Sequence, residues 1–140
     1  MVRVLLDTCV VSELQRRQCA PQVKARVEEF DAKQLFLSVI TIGELAKGIA
    51  LLPGGTRRQE FSTWKLGLEQ QFSEQILSVD FEVAQHWGEL SETAQNKGVL
   101  ISTTDGLIAA TALRHGLHVM TRNTRHFIVT GTPLIDPWQS

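Results

Sequence analysis

Arg3-Val4-Leu5-Leu6-Asp7-Thr8 opens the chain with an unbroken apolar run that stops at an acid. A strand with one wet face alternates polar and apolar residues. Residues 3–6 do not alternate, which predicts a strand covered on both sides, as in a parallel sheet. The pattern returns along the chain. Residues 35–40 (Leu-Phe-Leu-Ser-Val-Ile), 76–79 (Ile-Leu-Ser-Val), 118–121 (His-Val-Met-Thr) and Leu134-Ile135 predict four further strands, the last at an edge. Helical stretches separate them. A short one runs through Val10 to Leu14. Another opens at Pro21, where a first turn tolerates proline, and carries Val23, Val27 and Phe30 on one face. A third covers about 42–52 and stops at Pro53-Gly54-Gly55. Phe61, Trp64, Leu68 and Phe72 stripe a helix over about 57–74; Phe81, Ala84, Trp87, Leu90 and Ala94 stripe another over 81–97, ended by Gly98. Residues 105–115 are apolar on most sides, which predicts a central helix ended by Gly116, and Arg122 to Phe127 form a loop or helical turn. Short strands alternating with longer helices predict an α/β class: a three-layer α/β/α sandwich around a mostly parallel five-stranded sheet.

A chain of 140 residues predicts one domain, 1–140, with room for a substantial core. Apolar residues make up 43 % and charged ones 21 %, as suits a soluble globular protein. The net charge of −1 argues against a broad non-specific coat on nucleic acid, while leaving room for a local basic rim. Cys9 and Cys19 are too few for a disulfide framework and read as reduced thiols of a cytoplasmic protein. The start meets Asp7 too early for a signal peptide, and no stretch approaches the roughly 18 apolar residues of a membrane span.

Asp7, Glu44 and Asp105 each stand where an apolar segment meets a helix start. In open α/β sheets such junctions share one rim, where ligands bind. Three acids brought together there would hold Mg²⁺ or Mn²⁺, which take oxygen ligands, against a phosphodiester. Each acid also has a purely structural reading. Asp7 would cap the helix after it through the amide of Cys9 or Val10. Glu44 would complete a capping box with Thr41, or pair with Lys47. Asp105 would sit favourably on a helix dipole. One convergent site accounts for all three at once.

Other conspicuous residues read as structural. Trp64 and Trp87 lie on apolar stripes, and Trp138 is expected to pack against the domain edge. His86, His115, His118 and His126 lack the spacing of a zinc site, and the chain has no CxxC, no GxxxxGK and no Gly-rich dinucleotide fingerprint. Cys9 has no paired base to make it a nucleophile.

Four segments together resemble PIN-domain ribonucleases of the VapC toxin type. They are Leu5-Leu6-Asp7-Thr8-Cys9-Val10-Val11-Ser12-Glu13; Leu37 through Thr41-Ile42-Gly43-Glu44-Leu45-Ala46-Lys47-Gly48-Ile49; Asp105-Gly106-Leu107-Ile108-Ala109-Ala110; and Val119-Met120-Thr121-Arg122-Asn123-Thr124-Arg125-His126-Phe127. Pro137-Trp138 resembles the family's ending. The resemblance covers essentially the whole chain. It implies a Mg²⁺- or Mn²⁺-dependent endoribonuclease, with Asp7, Glu44 and Asp105 as catalytic metal-site acids. It implies a homodimer and a small VapB-like antitoxin that blocks the site and carries the complex to operator DNA. Thr8, Thr121 and Asn123 are then candidates for orienting the acids, and Lys47, Arg57, Arg58, Arg122 and Arg125 for contacting RNA phosphates.

Two departures stand out. Cys9 follows Thr8 where the first motif commonly has asparagine, and a thiol cannot reproduce an amide's paired donor and acceptor. Asn123 occupies a fourth acidic position without charge, and His126 stands where related sequences often have an acid. These departures motivate one alternative, a weak or inactive binding module within an antitoxin–operator repressor complex. The same acidic chemistry motivates another, a metal-dependent DNA nuclease. A response-regulator-like phosphoacceptor would need paired acids at the first strand and a late lysine, and neither is present.

Overall fold

A computed structural model describes residues 1–139. Its elements run β1 (Val4–Leu6), α1 (Thr8–Leu14), α2 (Pro21–Glu28), β2 (Leu35–Ser38), α3 (Val39–Leu51), α4 (Thr56–Gln71), β3 (Ile76–Leu77), α5 (Phe81–Asn96), α6 (Thr103–His115), β4 (His118–Met120), α7 (Thr124–Phe127) and β5 (Leu134–Ile135). Single 3₁₀ turns lie at Ala32–Gln34 and Ile128–Thr130. The sheet has five strands in the order β3-β2-β1-β4-β5, and every pairing is parallel.

Strand β1 is central, and its lack of alternation has the expected cause. Val4 and Leu6 face one core, built with α1, α2, α3 and Phe72 at the end of α4. Leu5 faces the other, built with α5, α6 and Phe127. All three are essentially inaccessible, and each contributes about 1.5–3 kcal/mol by leaving water. Two cores on opposite faces of one sheet are the three-layer sandwich predicted from the sequence. Helix α6 is buried over most of its surface, and Gly116 ends it in the left-handed region at φ 67°.

The order of strands positions the site. The chain builds outward from β1 through β2 to β3, then returns to the other flank of β1 for β4 and β5. Leu6 pairs with Met120, so the residues that follow, Asp7 and Thr121, leave the sheet side by side at the switch point.

Several expected boundaries move. The second strand ends at Ser38 instead of continuing to 40, because the Ser38 hydroxyl accepts the amide of Ile40 at 3.0 Å and caps α3. Glu44 therefore lies in the second turn of α3, and the Thr41–Glu44 capping box does not form. The third strand is only Ile76–Leu77. Helix α4 closes at Gln71, leaving Phe72 as its buried C-cap. On α5 the inward stripe is Val83, Leu90 and Ala94 with the half-buried Trp87, whereas Phe81 is 81 % exposed and Ala84 is also exposed. Asp80 caps α5 by accepting the amide of Val83, which sets the helical phase that turns Phe81 outward. Among the described residues no helix is long and apolar enough to cross a membrane.

Candidate active site

Asp7 is 3 % exposed and caps α1 while lying at the end of β1. The expected cap is thus real, with the amide of Thr8 as donor to Oδ1 at 2.9 Å, not those of Cys9 or Val10. Oδ2 accepts the Thr121 hydroxyl at 2.7 Å and, weakly, the Cys9 thiol at 3.5 Å. Burial raises the carboxyl above its ordinary pKa; the Thr121 hydrogen bond opposes this, and the charge of Asp105 adds to it. Among the described residues no lysine, arginine or histidine forms an ion pair with Asp7. Burying a carboxylate without a cation is costly.

Glu44 reaches the same place from α3. Its Oε1 accepts the Thr8 hydroxyl at 2.6 Å, and that hydroxyl also lies 2.9 Å from Thr41 Oγ1. Thr8 has one hydrogen to give, so Thr41 is the donor between the two threonines. Thr41 is fully buried, and its identity is explained by this chain of bonds. Thr8 therefore joins two acids, with its amide on Asp7 and its hydroxyl on Glu44. No Glu44–Lys47 ion pair forms among the described residues; Glu44 is taken up by Thr8.

Asp105 stands in the first turn of α6, whose cap Ser102 accepts its amide at 3.1 Å. Its neighbour Gly106 is required by packing. A Cβ built there would lie 2.8 Å from Trp87 Cδ1, so α6 can lie this close to α5 only without a side chain at 106. His126, from α7, places Nδ1 3.4 Å from Asp105 Oδ2. The acids are thus held by neighbours, Asp7 by Thr121, Glu44 by Thr8 and Asp105 beside His126. Among the described residues no three His, Cys, Asp or Glu side chains share a ready ligand geometry.

The remaining candidates divide by location. Thr121 donates to Asp7 and accepts the backbone amide of Asn123 at 2.9 Å; Asn123 is itself exposed. Arg122 stacks on Trp138 at 4.9 Å, and Trp138 packs on the core edge as expected. Arg125 is exposed on α7. Lys47 is exposed on α3, Arg57 lies over Phe61, and Arg58 lines a separate groove beside Ala46 and Ile49. The basic residues therefore lie on different elements, Lys47 on α3, Arg57 and Arg58 on α4, Arg122 after β4 and Arg125 on α7. Thr41 and His126 were not among the residues singled out from the sequence. The sequence marked Thr41 only as a capping-box partner for Glu44, and His126 only as a replaced acid and one of four histidines without zinc-site spacing. Burial and the charge of Asp7 push the Cys9 thiol up to about 11, so it stays a protonated donor and not a nucleophile.

Known proteins resemble this chain over nearly its whole length. Residues 4–131 match the family model described as PIN domain. The chain is 35 % identical to "VapC ribonuclease Y4jK" of Sinorhizobium fredii, covering 97 % of this chain and 98 % of that protein. It is 36 % identical to "Toxin FitB" of Neisseria gonorrhoeae, covering 96 % and 98 %. The solved structure of FitAB bound to an IR36 DNA fragment superposes with a TM-score of 0.93 at 33 % identity, covering 98 % of this chain and 96 % of that one.

Proposed function

The chain belongs to the PIN domain family, alongside VapC-type toxins, and from that premise we propose that it is a Mg²⁺- or Mn²⁺-dependent endoribonuclease, the toxin of a toxin–antitoxin pair. The observation that carries the reading is Asp7: a buried carboxylate with no cationic partner among the described residues, repelled further by Asp105. Thr8, Thr121 and Cys9 occupy three of the roughly four lone-pair positions of this carboxylate, leaving one on Oδ1. An oxygen donor with that vacancy beside a second carboxylate suits a hard divalent cation. Asp7 and Asp105 would hold the ion, with Glu44 as a further ligand or water-orienting group.

When bound, the cation supplies an acidified water and offsets charge on the phosphate. The chain's own groups do the rest. Thr121 and Thr8 fix the rotamer of Asp7, so its free lone pair has one direction. Glu44 commits Oε1 to Thr8 and keeps Oε2 to orient the attacking water. Arg122, Arg125 and Lys47 would meet phosphates of the bound RNA, and Asn123 would offer an uncharged amide.

A small VapB-like antitoxin that carries the complex to operator DNA is the partner we expect, in keeping with the solved complex of FitAB with a DNA fragment. The partner would cover the apolar cavity of about 180 Å³ lined by Leu45, Ile49, Leu52 and Trp64, and place a basic residue among the acids. The complex is expected in the cytoplasm. The test is incubation of antitoxin-free protein with total cellular RNA, with and without Mn²⁺, beside Asp7→Asn. Discrete fragments from the wild type alone support the reading. Fragments from neither protein, at any metal concentration, would favour a non-catalytic repressor subunit.

A further inference from the structure

A cleft of about 680 Å³ separates the loop after α1 from the start of α4. Arg16, Arg17 and Arg57 line it beside Phe61 and Trp64, and Glu60 is the single acid on its walls. The whole chain carries a net charge of −1, whereas here Arg16 is paired with Glu13 and Arg17 and Arg57 face Glu60 alone, which leaves a local excess of positive charge. The loop is held in place. Buried Glu13 accepts the amide of Ala20 at 2.8 Å and Arg16 Nη1 at 3.1 Å, which closes the turn that presents both arginines. Arg57 lies over the ring of Phe61 at 5.6 Å. Stacking uses the flat face of the guanidinium and leaves its in-plane N–H groups free for an anion.

The cleft shares a wall with the cavity beside Glu44. Phe61 and Trp64, packed edge to face at 6.4 Å, wall both this cleft and the smaller cavity that reaches Thr8 and Glu44. A single strand lying across Glu44 would pass along the two rings and set its next phosphates among the arginines. We propose that this cleft is the subsite for the single-stranded RNA flanking the cut, with Arg16, Arg17 and Arg57 taking phosphates and the Phe61–Trp64 wall taking a base. The proposal rests on the ribonuclease reading and adds where the substrate strand runs. Charge complementarity and the aromatic wall shared with the cavity beside Glu44 favour RNA over an acidic peptide, which would need the arginines but not the rings.

The test measures binding in EDTA, so that cleavage plays no part. A short labelled single-stranded RNA of mixed sequence is titrated by fluorescence anisotropy over a range of salt. Each lost phosphate contact lowers the salt slope by about 0.7, equivalent to roughly fourfold in affinity near 0.15 M salt. Arg16→Gln/Arg17→Gln should therefore bind about 15-fold more weakly, with a slope shallower by about 1.4. Phe61→Leu should weaken binding by roughly fivefold or more with the slope unchanged. If replacing Arg16 loosens the loop, seen as a lower melting temperature, Arg17→Gln/Arg57→Gln leaves the Glu13 contacts intact and should show the same loss. Wild-type affinity and slope in these variants would overturn the proposal, as would loss of an acidic peptide with RNA binding retained. Cleft-dependent RNA binding by a wild type that never cleaves RNA with Mn²⁺ would sink the ribonuclease reading and leave the cleft. Cleavage at an unchanged KM in the arginine variants would do the reverse.

Discussion

Thr121 donates its hydroxyl hydrogen to Asp7 Oδ2 at 2.7 Å, joining the ends of two adjacent parallel strands across 114 positions of sequence. Among the described residues this bond is the short one on that oxygen, since Cys9 lies at 3.5 Å. It sets where the remaining lone pair of Asp7 points.

Thr121→Val keeps the shape and removes the donor. A hydrogen bond to a charged group contributes about 1.5–3 kcal/mol, and losing a partner of this kind costs about 10–100-fold in metal affinity. Mn²⁺ titration calorimetry should show that loss. Unchanged affinity would mean that the backbone alone orients Asp7.

Asp7→Asn should lower cleavage by about 10²–10³-fold or more, yet stabilise the metal-free fold. The sign follows from burial. The folded-state pKa of Asp7 is raised above its ordinary 3.8, so the fold favours the protonated acid. Stability from this preference is fully present below that ordinary value and is lost as pH rises through the folded value. Asparagine does not titrate. The advantage of the variant in urea unfolding with EDTA should therefore grow across that window and level off above it. A variant less stable than wild type at neutral pH would contradict the account.

Gly106→Ala tests the close approach of α6 to α5. Alanine favours a helix interior by about 1 kcal/mol over glycine, whereas overpacking costs about 1–3 kcal/mol. A contact of 2.8 Å on the Trp87 ring puts the packing cost ahead. We expect a net loss of about 1 kcal/mol in urea unfolding and a changed tryptophan emission, with cleavage reduced because Asp105 is the preceding residue. A gain in stability would show that Trp87 moves freely.

The homodimer expectation can be examined on residues that the fold leaves uncovered. Phe81 is 81 % exposed and Leu100 is 98 % exposed. Sedimentation equilibrium should give a dimer at micromolar concentration, and Phe81→Ser/Leu100→Ser should shift it towards monomer. A monomeric wild type would refute the assignment.

Much of this was legible in the chain before any coordinates. Val4-Leu5-Leu6 read correctly as a strand covered on both faces, because a residue buried from two sides cannot alternate. The helix count, the central position of α6 and the stop at Gly116 followed from periodicity and from the one residue that takes φ 67° without strain. Asp7 and Asp105 were legible as junction acids because strand ends and helix starts are local events.

Other features required the folded chain. The phase of α5 was set at its Asp80 cap, so Phe81, placed on the apolar stripe by periodicity, faces outward. Glu44 lost its local capping partner because Ser38, three positions before Thr41, already begins the helix. The Thr41–Thr8–Glu44 chain and the Thr121–Asp7 bond join residues more than thirty positions apart, and no local pattern encodes which hydroxyl will face which acid. Gly106 could be quoted from the sequence but not explained, since the need for a missing Cβ lies on Trp87 of another helix. Local chemistry determined the elements and the kinds of donor. Parallel pairing at the β1–β4 switch determined which donors met, because only the register of the two strands places Asp7 beside Thr121.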